Sequence, residues 1–227
     1  MIQPLFQAKS ICRNYKLGKA IIPALKDIDL SIYTEDFLVI AGPSGSGKTT
    51  LLNMIGLIDK PSSGEIWMDE INTTLQNLNN LHSLRRDKIG YIFQTFNLIP
   101  VLTVFENVEY PLILQKLPRS RRHEWVEESL YKVGLTARKK HRPRELSGGE
   151  RQRVSIARAI VKKPALVLAD EPTANLDSRT GIEVLQLMET LHNQEHTTFV
   201  FSSHDQSIID KAKRMVYLRD GTIEEIK

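Results

Sequence analysis

Five apolar residues, Phe37-Leu38-Val39-Ile40-Ala41, run directly into Gly42-Pro43-Ser44-Gly45-Ser46-Gly47-Lys48-Thr49-Thr50, and Leu51-Leu52 follow at once. No other stretch restricts the fold so tightly. An uninterrupted apolar run of this length reads as a strand buried on both faces. The glycines after it let backbone N–H groups turn inward around a phosphate chain, and the helix opened by Thr49-Thr50-Leu51-Leu52 adds its positive end. In that arrangement Lys48 reaches the β- and γ-phosphates of a nucleotide, and the Thr49 hydroxyl ligates Mg2+. A merely glycine-rich turn does not predict strand, lysine and helix together.

The rest of the chain suits an α/β architecture around that strand. Residues 28–32 alternate apolar and polar, and residues 64–68 and 89–93 are further strand candidates. From about Thr95 to Lys163 helical spacing takes over, with Val126, Leu130 and Val133 on one face. Pro111, Pro118 and Pro143 are expected to end or delay helices there. Strand Leu166–Asp170, a helix around 182–192, and strands 197–202 and 215–219 restore the alternation. Strands alternating with helices predict a mainly parallel sheet covered on both faces. The expected organisation is one domain over 1–227: a nucleotide-binding core (1–94 and 164–227) with a helical subdomain inserted at about 95–163.

Composition narrows the class further. A chain of 227 residues with 41% apolar and 26% charged residues is ordinary globular material, which excludes long disorder, collagen and disulfide scaffolds. The single cysteine, Cys12, cannot pair within the chain, so a buried inert thiol and a reducing compartment are expected. The longest apolar runs, Phe37–Ala41 and 165–169, fall far short of the roughly 18 residues that span a bilayer. The opening MIQPLFQAKS has neither a basic n-region nor an apolar h-region. A soluble intracellular protein is the expectation. The net charge of +4 conceals a cluster: residues 116–144 hold ten Lys/Arg against three Asp/Glu. Nucleic acid, an anionic membrane surface and a solvated helical face are all open readings of it.

Two further motifs carry chemistry. Leu166-Val167-Leu168-Ala169-Asp170-Glu171 is a buried strand ending in carboxylates. Opposite a phosphate loop, Asp170 can hold Mg2+, usually through water. Glu171, one step on, is placed to act as a base on the attacking water. Without the loop this would be a plain strand end. Ser147-Gly148-Gly149-Glu150 begins a helix that carries Val154, Ala157 and Val161 on one face. Serine and two glycines at a helix N-terminus form a second anion cradle, although an ordinary N-cap by Ser147 is the plainer reading. Two cradles in one chain suggest a nucleotide held between two copies.

Together GPSGSGKTT, LSGGERQRV and LADEPTANLD resemble the ATP-binding subunits of ABC transporters over essentially the whole chain. The resemblance implies an α/β fold: a P-loop NTPase core with a mainly parallel sheet, an N-terminal antiparallel β portion and an inserted α-helical subdomain. It implies that Tyr15 stacks on adenine. It implies that Gln94 senses the γ-phosphate, joins the Mg2+ site and faces the membrane partner. Asn175-Leu176-Asp177 would communicate across a dimer, and His204 would contact the γ-phosphate beside Lys48 and Glu171. Two copies would sandwich two ATP molecules, each between the P-loop of one copy and residues 147–150 of the other. Separate transmembrane permease subunits would receive the motion at the cytoplasmic face of the plasma membrane, with no nucleic acid bound. Glu150 stands where the family's commonest signature has glutamine, an acidic form that related sequences also carry.

Within that family, Phe96-Asn97-Leu98-Ile99-Pro100, Leu102-Thr103-Val104 and Glu106-Asn107-Val108 look most like the lipoprotein-release, macrolide-export and cell-division group. Nucleic-acid ATPases of the DNA-repair or condensin class share the nucleotide motifs and form the rival reading. They divide the domain with long coiled coils, whereas Lys48 and Ser147 here lie 99 residues apart with no sustained heptads between them.

Overall fold

The computed structural model describes residues 3–18 and 20–227. Strands β1 (Phe6–Leu17) and β2 (Ala20–Ile32) pair antiparallel. Left-handed residues at Ser10 and Asp27 coincide with breaks in their register, so Phe6, Ala8 and Ile11 share the buried face with Leu25, Ile28, Leu30 and Ile32. β4 (Ser63–Met68) and β5 (Ile71–Asn72) extend this sheet in the order β2-β1-β4-β5.

The second sheet holds β3 (Phe37–Ala41), β6 (Ile89–Ile92), β7 (Leu166–Asp170), β8 (Thr198–Ser203), β9 (Arg214–Arg219) and β10 (Thr222–Ile226). Its order is β10-β9-β3-β8-β7-β6, parallel from β9 to β6 and antiparallel only at the β10–β9 hairpin. β3 is buried along its whole length. Phe37, Val39 and Ala41 pack with the helical subdomain, while Leu38 and Ile40 pack with α1 (Lys48–Ile55) and the first sheet. β7 divides in the same way, Val167 and Ala169 to one side and Leu166 and Leu168 to the other.

The helical layer contains α3 (Val104–Leu114), α4 (Arg119–Lys132), α5 (Gly148–Ile160) and α6 (Ser178–Glu195). Val126, Leu130 and Val133 are fully buried against Val108, Leu112, Val154 and Ala157. Pro118 caps α4 and Pro143 opens a short 3-10 turn, as their chemistry requires. Pro111 does not end its helix. It lies inside α3, which continues because Leu112 is fully buried and the Gln115 amide closes onto the Pro111 carbonyl at 3.2 Å. The buried Asn107 amide ties down the preceding loop. It donates to the carbonyls of Ile99, Leu102 and Thr103 and accepts from the Ile99 amide.

Helix α2 (Leu78–Lys88) precedes β6, in a stretch between strand candidates 64–68 and 89–93 for which the residue pattern predicts no element. Leu81 is buried and Leu84, three residues on, packs against the same core, with polar residues between them. A four-residue helix, α7 (Gln206–Ile209), follows β8. Cys12 is half-buried rather than buried, and its sulfur accepts from the Asp27 amide at 3.3 Å. Among the described residues no helix is long and apolar enough to cross a membrane.

Candidate nucleotide site

The phosphate loop joins β3 to α1. Gly42 is required at its start, since a Cβ there would sit 2.1 Å from the Leu218 carbonyl of neighbouring β9. The loop therefore begins pressed against the sheet and then opens outward. Lys48 folds back over it, donating Nζ to the Gly42 carbonyl at 2.9 Å and the Pro43 carbonyl at 3.0 Å. The Ser46 hydroxyl is buried below the loop, without a partner among the described residues.

A cleft of about 700 Å3 opens above the loop. Pro43, Ser44, Gly45, Gly47, Lys48, Thr49 and Thr50 form its floor, Ile22, Pro23 and Ala24 one side, and Gln94, Glu171 and His204 the other. The carboxylates arrive from β7, two strands away across β8. The Thr49 hydroxyl faces Asp170 Oδ1 at 3.4 Å. Burial pushes the Asp170 carboxyl above its usual range, and the neighbouring Glu171 charge pushes it the same way.

Glu171 is held in a left-handed backbone conformation (φ 44°), and its amide donates to the Ser202 carbonyl at 2.9 Å. Its Oε1 lies 2.7 Å from His204 Nδ1, and its Oε2 accepts from the Ser203 hydroxyl at 3.2 Å. The donor set suits ATP–Mg2+: a lysine amine folded over the loop, a hydroxyl facing a carboxylate, and a second carboxylate in contact with a histidine.

Other expected site residues lie elsewhere. Tyr15, on β1 opposite Ile22, is outside the cleft wall. Its hydroxyl donates to Asp59 at 3.0 Å, and the Arg13 guanidinium sits 4.6 Å from its ring centre. Ser147, Gly148, Gly149 and Glu150 are likewise absent from the wall. They form a capping box at the start of α5, with Ser147 Oγ accepting from the Glu150 amide at 3.2 Å. Asn175 reaches back to the loop that carries Gln94, donating to the Gln94 carbonyl at 2.8 Å.

Sequence reasoning missed Arg158. From α5 it donates to the carbonyls of Asn97 (2.6 Å) and Phe96 (2.8 Å), two consecutive left-handed residues just beyond Gln94. Burial pulls its guanidinium down to about 10. An arginine inside a helix with a strong apolar face was the available signal. In the basic stretch, Arg122, Lys132, Arg138 and Lys139 hold Glu109, Glu128, Glu150 and Glu127 respectively.

A phosphate loop at the end of a central parallel strand, facing carboxylates from the same sheet, defines a P-loop nucleotide hydrolase. Residues 25–174 match the family model described as ABC transporter. An uncharacterized ABC transporter ATP-binding protein of Methanocaldococcus jannaschii, MJ0796, is 44% identical over 224 residues, covering 97% of this chain and 95% of that one. The macrolide export ATP-binding/permease protein MacB of Marinobacter nauticus is 41% identical over 223 residues, which are 98% of this chain but 34% of MacB. A solved dimeric structure of MJ0796, in a post-hydrolysis state bound to ADP and Pi, superposes with a TM-score of 0.90 at 43% identity and covers 98% of this chain and 97% of that one. The chain belongs to the ABC transporter family, and within it to the ATP-binding subunits that hydrolyse ATP.

Proposed function

We propose that two copies of this chain close over two ATP–Mg2+ molecules and that the closure drives separate membrane-spanning permease subunits. One observation carries the reading: the second phosphate cradle, residues 147–150, is not in the wall of the cleft that holds the P-loop, Gln94, Glu171 and His204. Each chain therefore presents half of a site, and a second copy completes it. The dimeric MJ0796 structures support this arrangement.

In the closed pair Lys48 exchanges its two backbone carbonyls for the β- and γ-phosphates. Thr49, Asp170 and Gln94 would hold the metal, which would supply positive charge against the charge that develops on the phosphates. Glu171 takes the proton of the attacking water, oriented by His204, which also contacts the γ-phosphate. Tyr15, which pairs with Ile22 of the cleft side, stacks on adenine. The membrane partner is of the macrolide-export or lipoprotein-release type, docked near Gln94 at the cytoplasmic face. MacB supports this reading, because its name couples an ATP-binding part to a permease within one chain. The nucleic-acid alternative has no support in these relatives.

The test is the oligomeric state of Glu171→Gln on a sizing column with light scattering. A dimer with ATP–Mg2+ and a monomer without it is expected; a monomer at saturating ATP overturns the two-copy site. Co-purification with a hydrophobic permease subunit tests the partner, and salt-dependent DNA binding in its place would overturn the transporter assignment.

A further inference from the structure

Glu150 places an acid where a phosphate is to be received. Its Oε2 accepts from the Ser147 amide at 2.9 Å, so the carboxylate is locked at the mouth of α5 beside the first-turn amides of Gly148 and Gly149. The bond from the Ser147 backbone holds the Glu150 carboxyl below the usual glutamate range, and the Ser147 hydroxyl and Arg138 act in the same direction. A carboxylate that stays ionised there repels an anion approaching the same helix end.

The other oxygen is met from outside the helix. Arg138 ends the short turn Thr136–Arg138 and donates Nε to Glu150 Oε1 at 2.9 Å. Its Nη1 lies 3.3 Å from His141 Nε2. Arg138 is 48% exposed and Glu150 26%, so the guanidinium forms the outer layer of the pair. Exposed ion pairs contribute little to stability, and α5 is already capped by Ser147 without this one. The stabilisation of α5 therefore does not account for the pair. Its position at the second phosphate cradle does.

We propose that Arg138 is a charge-compensating residue of the nucleotide site. By pairing with Glu150, it lets residues 147–150 of one copy receive the γ-phosphate of ATP bound on the other. Arg138 acts through Glu150, as a positioning residue, and the proposal rests on the two-copy reading above. The pair takes the place of the neutral glutamine that the signature commonly carries.

The experiment measures the ATP concentration that half-dimerises the Glu171→Gln protein, alone and with Arg138→Gln, Arg138→Lys, Glu150→Gln, and Arg138→Gln with Glu150→Gln. Arg138→Gln is expected to raise that concentration about tenfold, and Arg138→Lys, which keeps the charge, less than about threefold. In the Glu150→Gln background, Arg138→Gln should have an effect below about threefold, since nothing is left to neutralise. Equal losses in both backgrounds would mean direct phosphate contact and overturn the compensation. No loss in either would leave an ordinary surface ion pair and overturn it too. A parent protein that binds ATP yet stays monomeric removes the two-copy reading itself, and the proposal with it.

Discussion

His204 Nδ1 lies 2.7 Å from Glu171 Oε1, and the two side chains meet from opposite environments: the imidazole is 70% exposed and the carboxylate 15%. The contact joins the end of β7 to the segment after β8, at a glutamate whose left-handed backbone costs about 1 kcal/mol or more. Both residues line the cleft, and the contact holds the shielded carboxylate while most of the imidazole stays exposed.

Glu171→Gln keeps the shape of that contact and removes the carboxylate proposed as the base. Turnover should fall by about 10²–10⁴-fold while ATP affinity stays within a few-fold of wild type. A phosphate-release assay beside calorimetric titration reads both, and turnover within tenfold of wild type would remove Glu171 from the role of base.

Lys48→Ala removes the cation that now bridges the Gly42 and Pro43 carbonyls. It also leaves the buried Gly42 carbonyl without that partner; with the proposed point charge on the nucleotide gone, ATP affinity should drop by roughly tenfold or more. Calorimetry checks this; an affinity within a factor of two of wild type contradicts the assignment.

Gly149 packs where α5 meets α6. A Cβ there would sit 2.4 Å from Thr180 Cγ2, in the first turn of α6. Gly149→Ala should therefore destabilise the fold by about 1–3 kcal/mol. Adding Thr180→Ser, which deletes the clashing methyl, should recover most of that loss. Denaturant midpoints of the single and double variants test the pair, and additive effects would place the strain elsewhere.

Lys162 provides a pH signature. Its amine donates to the Arg85 and Arg86 carbonyls at the end of α2, and burial pulls its pKa from the ordinary 10.5 down to about 8. Between those values the unfolded chain binds a proton that the folded one does not, so this group's contribution to stability rises with pH across the window. Lys162→Met removes that term. The difference in unfolding free energy between wild type and variant should shift toward wild type from about pH 8 to 10.5, by no more than about 3 kcal/mol. A difference that is flat across that range excludes a depressed lysine.

Much of the site could be read along the chain because its parts are contiguous. The apolar strand, the glycine loop and the helix behind it are consecutive, as are Ala169, Asp170 and Glu171, and the Ser147–Glu150 cap spans a single turn. Strand and helix periods, and hydrogen bonds across three or four residues, are local properties that residue order encodes directly. The same reasoning failed where local preference yields to packing. Pro111 stays inside α3 because of Leu112, and α2, for which no element is predicted, is held to the core by Leu81 and Leu84.

The sequence by itself determined the chemical inventory: a phosphate loop, two strand-end carboxylates, a serine–glycine helix cap and the family that combines them. Only the tertiary structure decided which of these meet. Thr49 faces Asp170 across 121 positions, Glu171 finds His204 across 33, Tyr15 turns to Asp59, and residues 147–150 lie outside the cleft they are proposed to complete. Those distances depend on the order of strands in the sheet, with β8 between β3 and β7. No local period specifies that order, because it follows from the packing of both sheet faces at once.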